Sequence, residues 1–103
     1  MNLSRSHIVG AAPNQSLVRG QVVATRPEPD GLGQTVELSV VESLNVDDLP
    51  NFTKTIVGRT VSFFLSAGDM RFRTGDRIEA KAIYRGGPKG GRYSLLPDDL
   101  RKI

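Results

Sequence analysis

The chain contains no cysteine and no tryptophan, and only one histidine. Without thiols there is no disulfide scaffold, no thiolate zinc site and no cysteine nucleophile. With His7 as the sole imidazole, a multi-histidine metal site cannot form within one chain. Aromatic residues are few, four Phe and two Tyr. No apolar run approaches the roughly 18 residues of a membrane-spanning helix, so no membrane partner is expected. Residues 1–10 carry a single arginine, Arg5, and no long apolar core, which argues against a secretory signal. The expectation is a soluble, intracellular, cytoplasmic protein.

What is present is enough for one small domain. The 103 residues are 38% hydrophobic and 24% charged, which allows a single modest core. The net charge of +3 hides an asymmetry. Residues 1–70 hold five Lys/Arg against seven Asp/Glu, whereas residues 71–103 hold nine against four. A basic third on a near-neutral body fits an anionic partner, and it equally fits a solvated basic surface.

Periodicity favours strands. Residues 1–16 lack it and read as a flexible arm, with Ile8 and Val9 available to tuck against the body. Val18–Thr25 is rich in β-branched residues and stops at Pro27; Gly20 inside it marks a bulge or a sharp coil. Residues 26–33 are dense in turn formers and close a hairpin. Thr35–Ser43 alternates, with Val36, Leu38 and Val40 on one face and Thr35, Glu37 and Ser39 on the other. In 45–58, Asp47-Asp48 with Pro50 is a candidate helix cap, with Phe52, Ile56 and Val57 as its buried face; an ordered loop is the alternative. Thr60–Ser66 puts Val61, Phe63 and Leu65 inward and leaves Phe64 among Thr60, Ser62 and Ser66. Arg77–Tyr84 puts Ile78, Ala80 and Ala82 inward, with Arg77, Glu79 and Lys81 toward water. Residues 85–92, with four glycines and a proline, form a hairpin loop into a last strand at Arg92–Leu96. Residues 98–103 read as a helical turn or a tail.

Five short strands without a long helix make an all-β fold, and unpaired edges on so small a sheet favour closure into a barrel. Here the chain resembles the OB-fold (oligonucleotide/oligosaccharide-binding) family over residues 17–96. The marks are Val18-x-Gly20-x-Val22-Val23 opening the first strand, a long alternating second strand, the Gly75-Asp76-Arg77-Ile78 turn into the fourth, and the glycine-rich hairpin between the fourth and fifth. The expected domain spans residues 17–97. One departure is that Ala67–Thr74 is too short for the helix the family often places between strands three and four. A barrel of SH3-like topology therefore stays open.

Catalysis needs a nucleophile, a base and an orienting group. His7 sits in the arm, and there is no Gly-x-Ser-x-Gly elbow. The adjacent pairs Asp47-Asp48 and Asp98-Asp99 point apart, as neighbours do, and suit capping or solvation better than metal binding. The glycine loop lacks the Gly-Lys-Ser/Thr ending of a phosphate loop. A binding protein with no catalytic residue, metal or cofactor is expected.

The hairpin holds Arg85, Lys89 and Arg92 without an intervening acid. Glycines beside them let a ligand approach the backbone. Members of the resembled family combine such a basic groove with exposed aromatic faces, and this resemblance implies a single-stranded nucleic acid, DNA or RNA, as partner. The expected contact residues are Arg19, Phe64, Arg71, Arg73, Arg77, Lys81, Arg85, Lys89, Arg92 and Tyr93. Against them stand the packing of Phe64 under a loop, a Tyr93 that seals the barrel end, a structural Tyr84, and the pairing of Glu37 and Glu79 with the arginines. The alternative function is a protein-interaction or assembly subunit that docks through 46–57, around Leu49, Pro50 and Phe52.

Overall fold

The computed structural model describes residues 13–87 and 90–103. The strands are β1 (Ser16–Pro27), β2 (Gln34–Asn45), β3 (Thr60–Leu65), β4 (Arg77–Gly87), β5 (Gly90–Leu95) and β6 (Arg101–Lys102). The one helical element among the described residues is a 3-10 turn at Lys54–Ile56. Pairing runs β1–β2–β3–β5–β4 and returns from β4 to β1, so the sheet closes into a five-stranded barrel, with β6 added beside β4. All pairs are antiparallel except β3 with β5. This is the small all-β barrel that the alternation predicts, and its strand order is consistent with an OB-fold-like topology. Among the described residues no helix is long and apolar enough to cross a membrane.

The alternating positions become the core. Val18, Val22, Val36, Leu38, Val40, Phe63, Leu65, Ile78, Ala80 and Ala82 are buried, joined by Ile56 and Leu95. Each buried Val, Leu, Ile or Phe stabilises the fold by about 1.5–3 kcal/mol. Strand β1 serves two neighbours, β2 along its whole length and β4 over Ser16–Gln21. It coils to do so, with register shifts at Arg19/Gly20 and Val22/Ala24. Gly20 lies at the first shift. A Cβ there would stand 2.4 Å from the Ser39 carbonyl oxygen and 2.8 Å from Leu38 Cγ.

Several expectations change. Asp47-Asp48 do not cap a helix: they sit in a turn closed by the Leu49 N–H on the Val46 carbonyl, and Asp47 takes φ 48°. Of the three apolar residues expected to be buried there, Ile56 is buried, but Phe52 and Val57 are each 43% exposed. The segment is fixed by hydroxyls instead. Thr53 Oγ1 donates to Ser16 Oγ and contacts Ser43 Oγ, while Asn51 Nδ2 also donates to Ser43 Oγ. Glu79 does not point to water. It is covered, because residues 97–103 turn back and β6 pairs Arg101 with Glu79 and Lys102 with Ile78. The tail is thus neither a helical turn nor loose. The expected eight-residue loop at 85–92 is mostly paired ribbon, since β4 and β5 stay in register from Ala82↔Leu95 out to Gly87↔Gly90. At the other end of the domain, Asn14 is tied down: its Nδ2 donates to the Tyr84 carbonyl and its Oδ1 accepts from the Tyr84 N–H, both at 2.8 Å. His7, Ile8, Val9 and Lys89 lie outside the described residues.

Candidate nucleic-acid interface

Strand parity turns the β4–β5 hairpin into an arm with two different faces. Directly opposed pairs alternate between them, with Ala82↔Leu95 and Tyr84↔Tyr93 on the core side and Ile83↔Ser94 and Arg85↔Arg92 on the outer side. The core side continues beyond the barrel as an aromatic cluster. Tyr84 and Tyr93 have ring centroids 4.8 Å apart, Phe52 meets Tyr84 edge-on at 5.9 Å, and Phe63 meets Tyr93 at 5.6 Å. Gly91 makes room for this, because a Cβ there would fall 1.9 Å from Tyr84 Cζ. Tyr93 therefore seals the barrel end, and its hydroxyl donates to the Phe52 carbonyl at 3.0 Å. Burial, then the neighbouring Tyr84, push the Tyr93 phenol pKa up, while Arg59 opposes the shift.

The outer side carries the charge. Phe64 projects outward from β3 between Thr35 on β2 and Ser94 on β5. Its ring is half-buried, and the Arg92 guanidinium stands 4.1 Å above the ring centroid. The ring packs against Gly33, where a Cβ would lie 2.8 Å from Phe64 Cε1 and 2.8 Å from the Leu65 carbonyl oxygen. An exposed stacked guanidinium contributes about 0.5–1 kcal/mol, so it holds Arg92 over the ring only weakly. Across the same face, Glu37 is opposite Ser62. Its charge is met by Arg26 from β1, and the neighbouring Thr35 hydroxyl donates to Glu28.

Apart from Tyr93 on the core side and Lys89 outside the described residues, the predicted contact residues fall into three groups. Phe64, Arg85 and Arg92 come together on the outer face, and Arg85 has no carboxylate partner among the described residues. Arg19 and Lys81 lie on the β1–β4 face and are engaged. Arg19 donates to Glu79 at 2.7 Å and to Glu42 at 3.0 Å, Arg101 also donates to Glu79 at 3.0 Å, and Lys81 is 3.4 Å from Asp99. Hydrogen bonds from Arg19 and then Arg101 hold the Glu79 carboxyl below its usual range, and the bonds to Glu79 and then Glu42 raise the Arg19 pKa. The third group, Arg71, Arg73 and Arg77, stands at the opposite end of β4 from the hairpin, in and just after the loop 66–76. The Arg73 N–H donates to Asp76, and this bond, with help from Lys102, lowers the Asp76 pKa.

Sequence reasoning weighed the pairing of Glu37 with the arginines without naming Arg26, and missed two other parts of this face. Gly33 gives the ring its seat, Arg26 neutralises Glu37, and Thr35 with Ser94 flanks the ring. Their positions depend on cross-strand register, which no single segment carries. No protein-family model matches the chain, and no curated protein matches it either.

Proposed function

We propose that this chain is an OB-fold module that binds single-stranded nucleic acid, DNA or RNA, on the outer β2–β3–β5 face and along the hairpin. The observation that carries the reading is the Phe64 ring set among uncharged Thr35 and Ser94, with Arg92 stacked on it and Arg85 opposite Arg92. A base stacks on such a ring whatever its sequence, contributing about 1–3 kcal/mol, and the two guanidiniums take the adjoining phosphates. Low base specificity at Phe64 follows, because every base has a π-face. The module is a binder rather than an enzyme in this reading. The experiment is fluorescence anisotropy with labelled oligo-dT and oligo-U at about 50 mM salt, where counterion release is still favourable. Binding is expected in wild type and lost in Arg85→Glu with Lys89→Glu, with the fold retained because Arg85 faces outward. Binding that survives the charge reversal removes the hairpin from the interface.

A second reading, a protein-docking module, is favoured by one observation. Val41, Phe52 and Val57 are 57%, 43% and 43% exposed on or after β2, in a chain with few large apolar residues to spare. A protein partner captured after nuclease treatment, and lost in Phe52→Ser, supports it.

A further inference from the structure

A separate concavity of about 160 Å³ opens near the β1–β2 turn, on the core-facing side of these strands rather than the Phe64 side, lined by Pro27, Gln34, Gly68, Met70, Arg71 and Phe72 among others. Gln34 is 6% exposed. Its Nε2 donates to the Ala67 carbonyl at 2.9 Å and to the Met70 carbonyl at 2.8 Å. Both neighbours are acceptors, so chemistry fixes the amide orientation and uses both of its protons. Among the described residues nothing donates to the other end of the amide, Oε1, although a buried acceptor is ordinarily paired. Gln34 thus offers one buried acceptor and no spare proton, and the wall adds apolar surface from Pro27, Met70 and Phe72 and the exposed cation Arg71. Pockets for drug-sized ligands begin at about 300 Å³, so this one suits one planar heterocycle the size of a base.

Its position connects it to Phe64. The Phe64 ring packs on Gly33, and Gly68 packs on Gly33 as well, where a Gly68 Cβ would lie 3.3 Å from the Gly33 nitrogen. One residue's backbone therefore separates ring from cavity. We propose that the cavity receives the base next to the one stacked on Phe64, and that this base is adenine or cytosine. The exocyclic amino group donates to Gln34 Oε1, and Arg71 takes the attached phosphate. Uracil and thymine present a ring N–H between two carbonyls, and the Gln34 amide has no proton left to donate to those carbonyls. The inference rests on the single-strand reading and adds to it one position of base preference.

The test is an amide NMR titration of the full chain with adenosine 5′-monophosphate and with uridine 5′-monophosphate. Adenosine monophosphate should shift the Gln34 side-chain amide and the backbone amides of Gly68, Met70 and Phe72. It should bind about fivefold more tightly than uridine monophosphate, the value of one net hydrogen bond. Thr25, another lining residue, is exposed on β1. Thr25→Phe fills the cavity from there and should abolish these shifts while the rest of the amide spectrum stays in place. Phe64→Ala should leave them intact. With oligonucleotides, Thr25→Phe should remove a preference for oligo-dC over oligo-dT and keep oligo-dT binding. Equal binding of the two monophosphates, or shifts that persist in Thr25→Phe, overturns the cavity assignment while oligo-dT binding at Phe64 stands. Absence of any oligo-dT binding overturns the single-strand reading, and this inference falls with it.

Discussion

Phe64→Ala removes the proposed stacking platform while leaving the charges in place. One base stacked on an aromatic ring is worth about 1–3 kcal/mol. In the free protein, however, the Arg92 guanidinium already covers the ring at 4.1 Å. A base that takes that position displaces a contact worth about 0.5–1 kcal/mol. The net loss on truncation is therefore between about 0 and about 2.5 kcal/mol, about 1.25 kcal/mol at midrange, or roughly 8-fold in Kd. Phe64 faces away from the core, so the fold survives the change. Anisotropy with oligo-dT across a salt series separates the contributions. Phe64→Ala should weaken binding at every salt concentration and leave the slope of log K against log salt unchanged. Arg92→Ala should make that slope shallower by about 0.7, the single-strand value per phosphate neutralised, whereas Arg92→Lys should keep it. If Phe64→Ala binds like wild type while the arginine variants fail, the ring is no platform and the face acts through charge alone. If no variant alters the slope, the phosphate contacts are wrong as well.

Two further outcomes concern the scaffold. Glu79 ionises more readily in the fold than in the unfolded chain, as does Asp76, so their contribution to stability is complete above the ordinary carboxylate pKa near about 4.3 and is lost as pH falls through the lower folded values. The melting temperature should drop on that acid limb and drop less in Glu79→Gln; an identical limb in both proteins contradicts the network's role. Gly20→Ala forces a methyl group against the Ser39 carbonyl and should lower stability by about 1–3 kcal/mol, read as a shifted urea midpoint at unchanged slope.

The barrel was legible in the sequence because its information is local. A period of two over Thr35–Ser43, Thr60–Ser66 and Arg77–Tyr84 assigns each side chain to a face before any partner is known, and the buried hydrophobic residues follow those assignments while Glu79, covered by β6, does not. The same parity put Phe64 outside and leaned Tyr84 inside. What stayed hidden depends on pairing between distant segments. Residues 98–103 have no alternating run long enough to announce a strand; β6 is two residues long and exists because β4 offers a free edge where β5 has ended. The turn at Asp47 resembles a cap in sequence, since Asp favours both, and only the Thr53–Ser16 and Asn51–Ser43 bonds favour a fixed loop over a helix there.

The charge asymmetry shows the same division in functional terms. The last third of the chain is basic, and read as a list its cations form one stripe. In the fold, what decides whether a cation is available is what the register sets beside it. Arg19 stands opposite Glu79 on β4 and Glu42 on β2, and is consumed; Arg26 lies one strand over from Glu37, and is consumed as well. Arg85 and Arg92 stand opposite each other. Two like charges directly across a hairpin destabilise it; Arg92 is held by its stack on Phe64, and Arg85 has no carboxylate partner among the described residues. Neutralised cations on β1 and an uncompensated pair beside the outward phenylalanine are what the proposed single-strand reading requires of its anion site. Filling that site should stabilise the hairpin as well as the complex.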